Sequence, residues 1–332
     1  MPEQKSTILV TGGAGYIGSH AVLALKQAGY EVVIFDNLEY GHQELVKDVL
    51  GVELFVGDTR DRSALDRVFA THKIDAVMHF AAYIAVGESV EQPGMYYTNN
   101  VIGTLNLLEA MRAANITKFV FSSTCAVYGI PAVTPIVEDC PFAPISPYAT
   151  SKLMVEYILS DFDTAYGFKS VRFRYFNASG ADPSGRLGED HTPETHLVPL
   201  ILFTAMGKRE HISVYGTDYP TPDGTCIRDY IHVQDLATAH VLGLDYLLAG
   251  GDSQVFNLGN GNGYSVKEVI ETAKKVTGKE IKVVYGDRRA GDPSILVGSS
   301  DRVRKVLGWN PEFPQLEDII AHAWQWHQKR HG

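Results

Sequence analysis

Four glycines fall within eight residues near the start of this chain, Thr11-Gly12-Gly13-Ala14-Gly15-Tyr16-Ile17-Gly18. They follow an apolar run, Ile8-Leu9-Val10, and open a helix-like stretch from Tyr16 to Ala28. Only a backbone without Cβ can turn this sharply from strand to helix and still approach a pyrophosphate closely. The amides and positive end of the following helix then face the phosphates. A second strand-like run, Glu31 to Phe35, ends in Asp36, 18 residues after Gly18. An acid there accepts hydrogen bonds from adenosine ribose hydroxyls, and no Arg follows it directly to welcome a 2′-phosphate. The pattern therefore predicts a dinucleotide site for NAD rather than NADP.

The alternation continues. Val52 to Asp58 reads as a strand, Arg62 to His72 as a helix and Ala76 to Ala82 as a strand. A long helix near Tyr96 to Ala114, a strand from Lys118 to Ser123, a helix from Pro147 to about Tyr166 and a strand from Ser170 to Phe176 follow. Repeated strand–helix units with apolar strands predict an α/β fold, a Rossmann-type doubly wound parallel sheet. The second half is less regular. Pro and Gly cluster at Ala181 to His191 and Thr217 to Thr225, as loops enclosing a ligand. Helices are expected near Leu197 to Gly207, Gln234 to Leu248 and Gln315 to Lys329, with a strand at Ile212 to Tyr215. Ser265-Val266-Lys267-Glu268 is a capping box opening another helix. Trp324 and Trp326 read as packing residues. The expected division is an NAD domain over 1–177, to which segments near 226–260 return, and a smaller α/β substrate domain over 178–332.

Composition narrows the function classes. A chain of 332 residues with 45% hydrophobic content can bury a large core. A formal charge of -10 argues against a nucleic-acid surface. No apolar run reaches the roughly 18 residues that span a bilayer, so no membrane partner is expected. Cys125, Cys140 and Cys226 lack CxxC spacing and cannot all pair, which fits a reducing, cytoplasmic location. No metal site is expected.

The chemical centre is Tyr148-Ala149-Thr150-Ser151-Lys152. Tyr and Lys four apart share one helix face, one turn apart. A free phenol titrates near pH 10, too high for a base at neutral pH, and a nearby ammonium lowers it. Ser122, Ser123 and Thr124 close the preceding strand. In a parallel sheet that end is where ligands bind, and a hydroxyl there can hold a substrate oxygen as its proton leaves.

These motifs resemble the extended short-chain dehydrogenase/reductase family, in its nucleotide-sugar epimerase branch. Further matches are Val86-Gly87-Glu88-Ser89, Asn99-Asn100-Val101, Arg174 to Asn177, Pro183-Ser184-Gly185, Asp218 to Thr221, Asp223-Gly224-Thr225, Arg228 to Val233 and Arg288 to Asp292. The resemblance runs from Thr7 to about His327. It implies reversible interconversion of UDP-galactose and UDP-glucose at C4, through a 4-keto sugar and a retained NAD. Tyr148 is the implied base, Thr124 holds the same sugar oxygen, and Lys152 positions the cofactor ribose. The implied cofactor contacts are Gly12, Gly15, Tyr16, Ile17, Gly18, Asp36 and Asn37, with Asp58 and Thr59 at the adenine. Phe80, Ala81 and Ala82 follow in the central region, then Asn99, Ser122, Ser123, Tyr175 and Phe176 toward the nicotinamide. The implied substrate contacts are Asn177, Leu197, Val214, Tyr215, Arg228, Arg289, Asp292 and Leu296, besides Thr124 and Tyr148.

Three positions depart from the family pattern. Ile84 stands where some members place Lys near the cofactor ribose. His196 stands where some have Asn. Leu296, intermediate in size, leaves UDP-N-acetylhexosamines open as substrates. Dehydratases of the same fold carry Asp-Glu after the active-site Thr; Cys125-Ala126 here supplies no acid or base. The apolar faces of the helices near Tyr96 to Ala114 and Pro147 to Tyr166 lead to the expectation of a homodimer, as is common in the family.

Overall fold

The apolar runs become strands. β1 (Thr7–Thr11), β2 (Glu31–Asp36), β3 (Glu53–Val56), β4 (Ala76–His79), β5 (Lys118–Thr124) and β6 (Lys169–Tyr175) come first. Then follow β7 (Asn177–Ser179), β8 (Ile212–Tyr215), β9 (Ile227–His232), β10 (Gln254–Leu258), β11 (Gly263–Ser265), β12 (Val283–Gly286) and β13 (Ile295–Leu296). The computed structural model describes residues 6–289 and 292–332. Met1–Lys5 and the Ala290-Gly291 part of the Arg288 to Asp292 motif lie outside the described residues.

A seven-stranded sheet runs in the order β10-β6-β5-β4-β1-β2-β3. The pairings of β1 with β2 and β4, of β2 with β3 and of β4 with β5 are parallel. Chain order reverses at β1, between β4 and β2, which makes the carboxyl ends of β1 and β4 the switch point where α/β sheets bind ligands. Helices cover the sheet: Leu107, Leu108, Val155 and Leu159 pack with Leu9, Val33, Phe35, Val77 and Phe119 in one buried cluster. Central strands buried on both faces explain why these runs read as continuously apolar.

The chain divides into two units. The first takes the chain up to Val127, Phe142–Arg174 and Ala237–Phe256; the second takes Tyr128–Pro141, Tyr175–Leu236 and Asn257–Gly332. In the second unit β9 pairs with β7, β11 and β13, and β8 pairs with β12. Its core joins Val198, Ile201, Ile212, Val214, Val269, Ile319 and Ile320. The buried Asp229 ties this unit together by accepting from the amides of Asn260 (2.7 Å), Gly261 (3.2 Å) and Gly298 (3.2 Å).

Local signals set the helix ends. The helix Pro147–Tyr166 begins with Ser146 accepting from the Ala149 amide at 3.3 Å, has Pro147 in its first turn, and stops at Gly167 with φ +71°. The helix Val266–Thr277 has the expected reciprocal Ser265–Glu268 capping box. One expectation needs correction. The long helix near Tyr96 to Ala114 starts at Pro93 and widens into a π-helical stretch, Tyr97–Ile102, before Gly103–Ala113. A wide turn leaves no mark on hydrophobic periodicity, and it carries the buried Asn99 and Asn100. Trp326 is buried and packs against Gly188, and Trp324 is half-buried against the second core.

Candidate active site

The glycine turn is built by close backbone approach. Gly12, at φ +73°, lies where a Cβ would sit 2.5 Å from the Ala81 amide nitrogen, and a Cβ on Gly18 would fall 2.0 Å from the Gly12 carbonyl oxygen. Gly15 is the N-cap of the helix Tyr16–Gln27, so the half-buried Tyr16 and Ile17 occupy its first turn. At the end of β2, the Asp36 carboxylate accepts from the amides of Ala14 (3.0 Å) and Leu38 (2.9 Å). Burial raises the Asp36 pKa, and these two amides oppose the rise. A cradle that a Cβ would fill, beside an acid held by the turn it faces, fits a dinucleotide with free ribose hydroxyls.

Asp58 is drawn into a bidentate pair with Arg60 (2.9 and 2.6 Å) and accepts from Asn37 at 3.0 Å. The Arg60 hydrogen bonds lower its pKa to about 2. Arg60, which no sequence motif marks, orients this acid. Thr59 is buried beside Gly103. Past β4, the Phe80 and Ala81 amides both donate to the Thr11 carbonyl (2.9 and 3.2 Å), which holds Phe80, Ala81 and Ala82 next to the glycine turn. Phe80 stacks obliquely on His240 at 4.9 Å. Ile84 is exposed.

Asn99 donates to the Asn100 side-chain oxygen at 3.1 Å. Asn100 in turn clamps Tyr83, accepting from its amide (2.9 Å) and donating to its carbonyl (3.0 Å), and donates to Ser151 Oγ at 3.1 Å. Ser151 then donates to the Tyr148 carbonyl at 2.7 Å. This chain of bonds fixes the helix that carries Tyr148 and Lys152.

Lys152 is almost fully buried, and its ammonium donates to the Ser122 carbonyl at 2.9 Å and sits 5.0 Å above the Phe121 ring. Burial lowers its pKa to about 7. The half-buried Tyr148 lies one helical turn before it. Thr124, at the end of β5, accepts from the Ala126 amide at 3.2 Å. Ser123 differs from the sequence reading. Its hydroxyl donates to Glu156 Oε1 at 2.5 Å, so it points into the protein and leaves only backbone to meet a cofactor. Glu156 also pairs with Arg174 (2.6 Å), both side chains being buried.

In the second unit, Phe176 is buried against Gly298, where a Cβ would come within 2.1 Å of the ring; Tyr175 beside it is half-buried. Asn177 is exposed and donates to the Asp229 carbonyl at 2.8 Å. Leu197 starts the helix Leu197–Ala205 after His196, whose side chain does not cap it. Val214 is a core residue, so only its backbone can meet a ligand, whereas Tyr215 is exposed and carries the Arg289 guanidinium over its ring at 4.0 Å. Arg228 hydrogen-bonds Asp292, the two residues that the sequence assigns to different parts of a nucleotide. Leu296 lies in β13, paired to Arg228.

Comparison with known proteins gives the chain its family. The sequence model of the NAD dependent epimerase/dehydratase family matches residues 8–259. The chain is 52% identical to the UDP-glucose 4-epimerase of Halalkalibacterium halodurans over 326 residues, 98% of this chain and 97% of that protein. A crystal structure of a UDP-glucose 4-epimerase superposes with a TM-score of 0.95 at 50% identity, covering 98% of both chains. The enzyme of that name from Bifidobacterium longum, in complex with NAD+ and UDP, gives a TM-score of 0.92 at 42% identity, covering 98% of this chain and 99% of its own. With the glycine cradle, the acid at the end of β2 and the Tyr148–Lys152 helix all in place, the chain belongs to the NAD dependent epimerase/dehydratase family.

Proposed function

We infer that this protein interconverts UDP-galactose and UDP-glucose by inverting the sugar at C4. The observation that carries this reading is the buried Lys152 ammonium, held on the Ser122 carbonyl one turn after Tyr148 at the end of β5. When bound at the glycine turn, NAD supplies a reversible two-electron acceptor for C4.

Tyr148 takes the O4 proton. Its phenolate is favoured by the positive charge of Lys152, whose own carbonyl bond stops it from swinging away. Thr124 donates to O4 and orients it. A 4-keto sugar, planar at C4, can then turn about its link to the diphosphate and present its other face, where hydride would return to C4 as Tyr148 gives the proton back to O4. Turning requires a sugar held weakly and a nucleotide held strongly, so binding energy belongs at the UDP end. There Arg228 and Arg289 offer guanidinium forks to phosphate, and Asp292 accepts from ribose hydroxyls. The Arg228–Asp292 ion pair compensates both charges and sets the two side chains side by side. Leu197 contributes a backbone amide, and Val214 and Tyr215 a backbone edge for uracil.

The chain acts in the cytoplasm as a homodimer. Three unbridged cysteines support the first statement. Ile102, Leu105, Met154 and Tyr157, exposed on the helices of the first unit, support the second.

Purified protein given UDP-galactose without added NAD, followed by proton NMR, should form UDP-glucose with no net NADH. No UDP-glucose, even with NAD supplied, sinks the substrate assignment. The same tube with UDP-N-acetylgalactosamine reads what Leu296 admits.

A further inference from the structure

The segment Glu189–His196, in the second unit, gathers two carboxylates and two imidazoles whose donor atoms all lie within 4.8 Å of one another. His191 Nδ1 lies 3.3 Å from Glu189 and 3.6 Å from Glu194; His196 Nδ1 lies 2.8 and 2.9 Å from the same two carboxylates. The Glu189 and Glu194 side chains are only 5% and 6% exposed, so two like charges share a nearly dry space and need positive charge beside them, which either protonated imidazoles or a bound metal ion can supply. Glu194 Oε1 is occupied by the amides of Thr195 (2.7 Å) and His196 (2.8 Å). Its buried Oε2 faces the cluster, 3.6 Å from His191 Nδ1 and just beyond hydrogen-bond distance.

The segment is also anchored. Trp326 donates to the Glu189 carbonyl at 3.1 Å, Gly188 packs on the Trp326 ring, and Arg330 bonds Asp190 at 2.8 Å. The backbone that carries the four donors is therefore seated on the helix Leu316–His331.

We propose that Glu189, His191, Glu194 and His196 form a four-coordinate site for a divalent transition cation of the zinc type. Tetrahedral zinc with bonds of about 2.0–2.2 Å separates its ligand atoms by about 3.3–3.6 Å. The four imidazole–carboxylate separations here are 2.8–3.6 Å and the whole donor set lies within 4.8 Å, so side-chain shifts of about an ångström or less bring the four donors to that spacing. Two imidazole nitrogens with two carboxylate oxygens suit zinc; magnesium and calcium seek six or more oxygens. On binding, each imidazole Nδ1 proton leaves to solvent and the cation takes its place. The cation would cross-link the loop that leads into the helix Leu197–Ala205 and set that helix's first turn. The pattern Glu-x-His-x-x-Glu-x-His is legible in the sequence and escapes a search for cysteine spacing.

The full chain, stripped with a chelator and dialysed free of it, is titrated with zinc chloride by calorimetry and with cobalt(II) chloride by absorbance. Expected are one ion per chain, visible d–d bands of four-coordinate cobalt, and a zinc-dependent rise in unfolding temperature. Glu194→Gln, and the more conservative half-exposed His196→Gln, should each lose more affinity than the roughly 10–100-fold that follows loss of an outer partner. Absence of stoichiometric binding and of cobalt bands in the unmodified chain leaves an imidazolium–carboxylate cluster only and overturns the site. Equal binding in the unmodified chain and in folded His196→Gln places the ion elsewhere and overturns it as well.

Discussion

Lys152 illustrates how much a single residue is asked to do. Its spacing from Tyr148 follows from the pitch of one helix and is readable in any sequence. Its burial is not, because that depends on Ser122 and Phe121 arriving from β5. The cost of that burial has a definite pH signature. With the folded pKa near 7 and the unfolded value at 10.5, the unfolded chain holds an extra proton between these two values. Stability from this group therefore rises with pH across that window and is least below it. Lys152→Met should stabilise cofactor-stripped protein by roughly 2 kcal/mol at pH 6, and the gain should fade toward pH 10. Thermal unfolding at both pH values checks this; a gain that grows with pH contradicts it. The same substitution should abolish most activity. Tyr148→Phe, which keeps the ring and removes the proton acceptor, should lower kcat about 10²–10⁴-fold with KM nearly unchanged. Near-normal kcat would move the base elsewhere.

At the scale of elements, the site depends on contacts that join distant parts of the chain. Asn100 and Ser151 are 51 residues apart, and Ser123 and Glu156 are 33 apart. Neither pairing has a local pattern, which is why Asn100 stands in the sequence only as part of a motif and Glu156 does not stand out at all. Glu156 holds the end of β5 through Ser123 and neutralises Arg174, with both ionic side chains under 5% exposed. Removing one partner leaves a buried, uncompensated charge. Glu156→Ala should cost about 3–5 kcal/mol in urea unfolding. A loss below about 1 kcal/mol would mean that Arg174 finds water or another partner.

For the whole molecule, the apolar side chains left exposed on the helices of the first unit carry the oligomeric prediction. Ile102 is 51% exposed and Tyr157 54%, more than isolated surface residues of a covered helix need. Leu105→Glu combined with Met154→Glu should convert a dimer to a monomer at micromolar concentration in sedimentation. A monomeric unmodified chain would remove the idea. Asp229 belongs to this scale too, since it binds three amides from two separate segments of the second unit, Asn260-Gly261 and Gly298. Burial, only partly offset by those amides, raises its pKa to about 6. The unfolded acid titrates near 3.8, so its contribution is most favourable below that value and declines as pH rises through 6. Asp229→Asn should flatten the slope of stability between pH 4 and 7; an unchanged slope would show that the group titrates normally.

The sequence by itself determined what depends on near neighbours: strand or helix from hydrophobic period, the sharp turn from glycine spacing, a helix beginning near Pro147, and Tyr148 with Lys152 on one face. The doubly wound sheet follows because repeated strand–helix units have few other ways to bury their faces. Tertiary structure alone decided the rest. It turned Ser123 inward to Glu156, spent Val214 on the core, paired Arg228 with Asp292 and widened the helix at Asn99 and Asn100. Burial and partner choice are properties of what packs nearby, and residues far apart in the chain supply those neighbours.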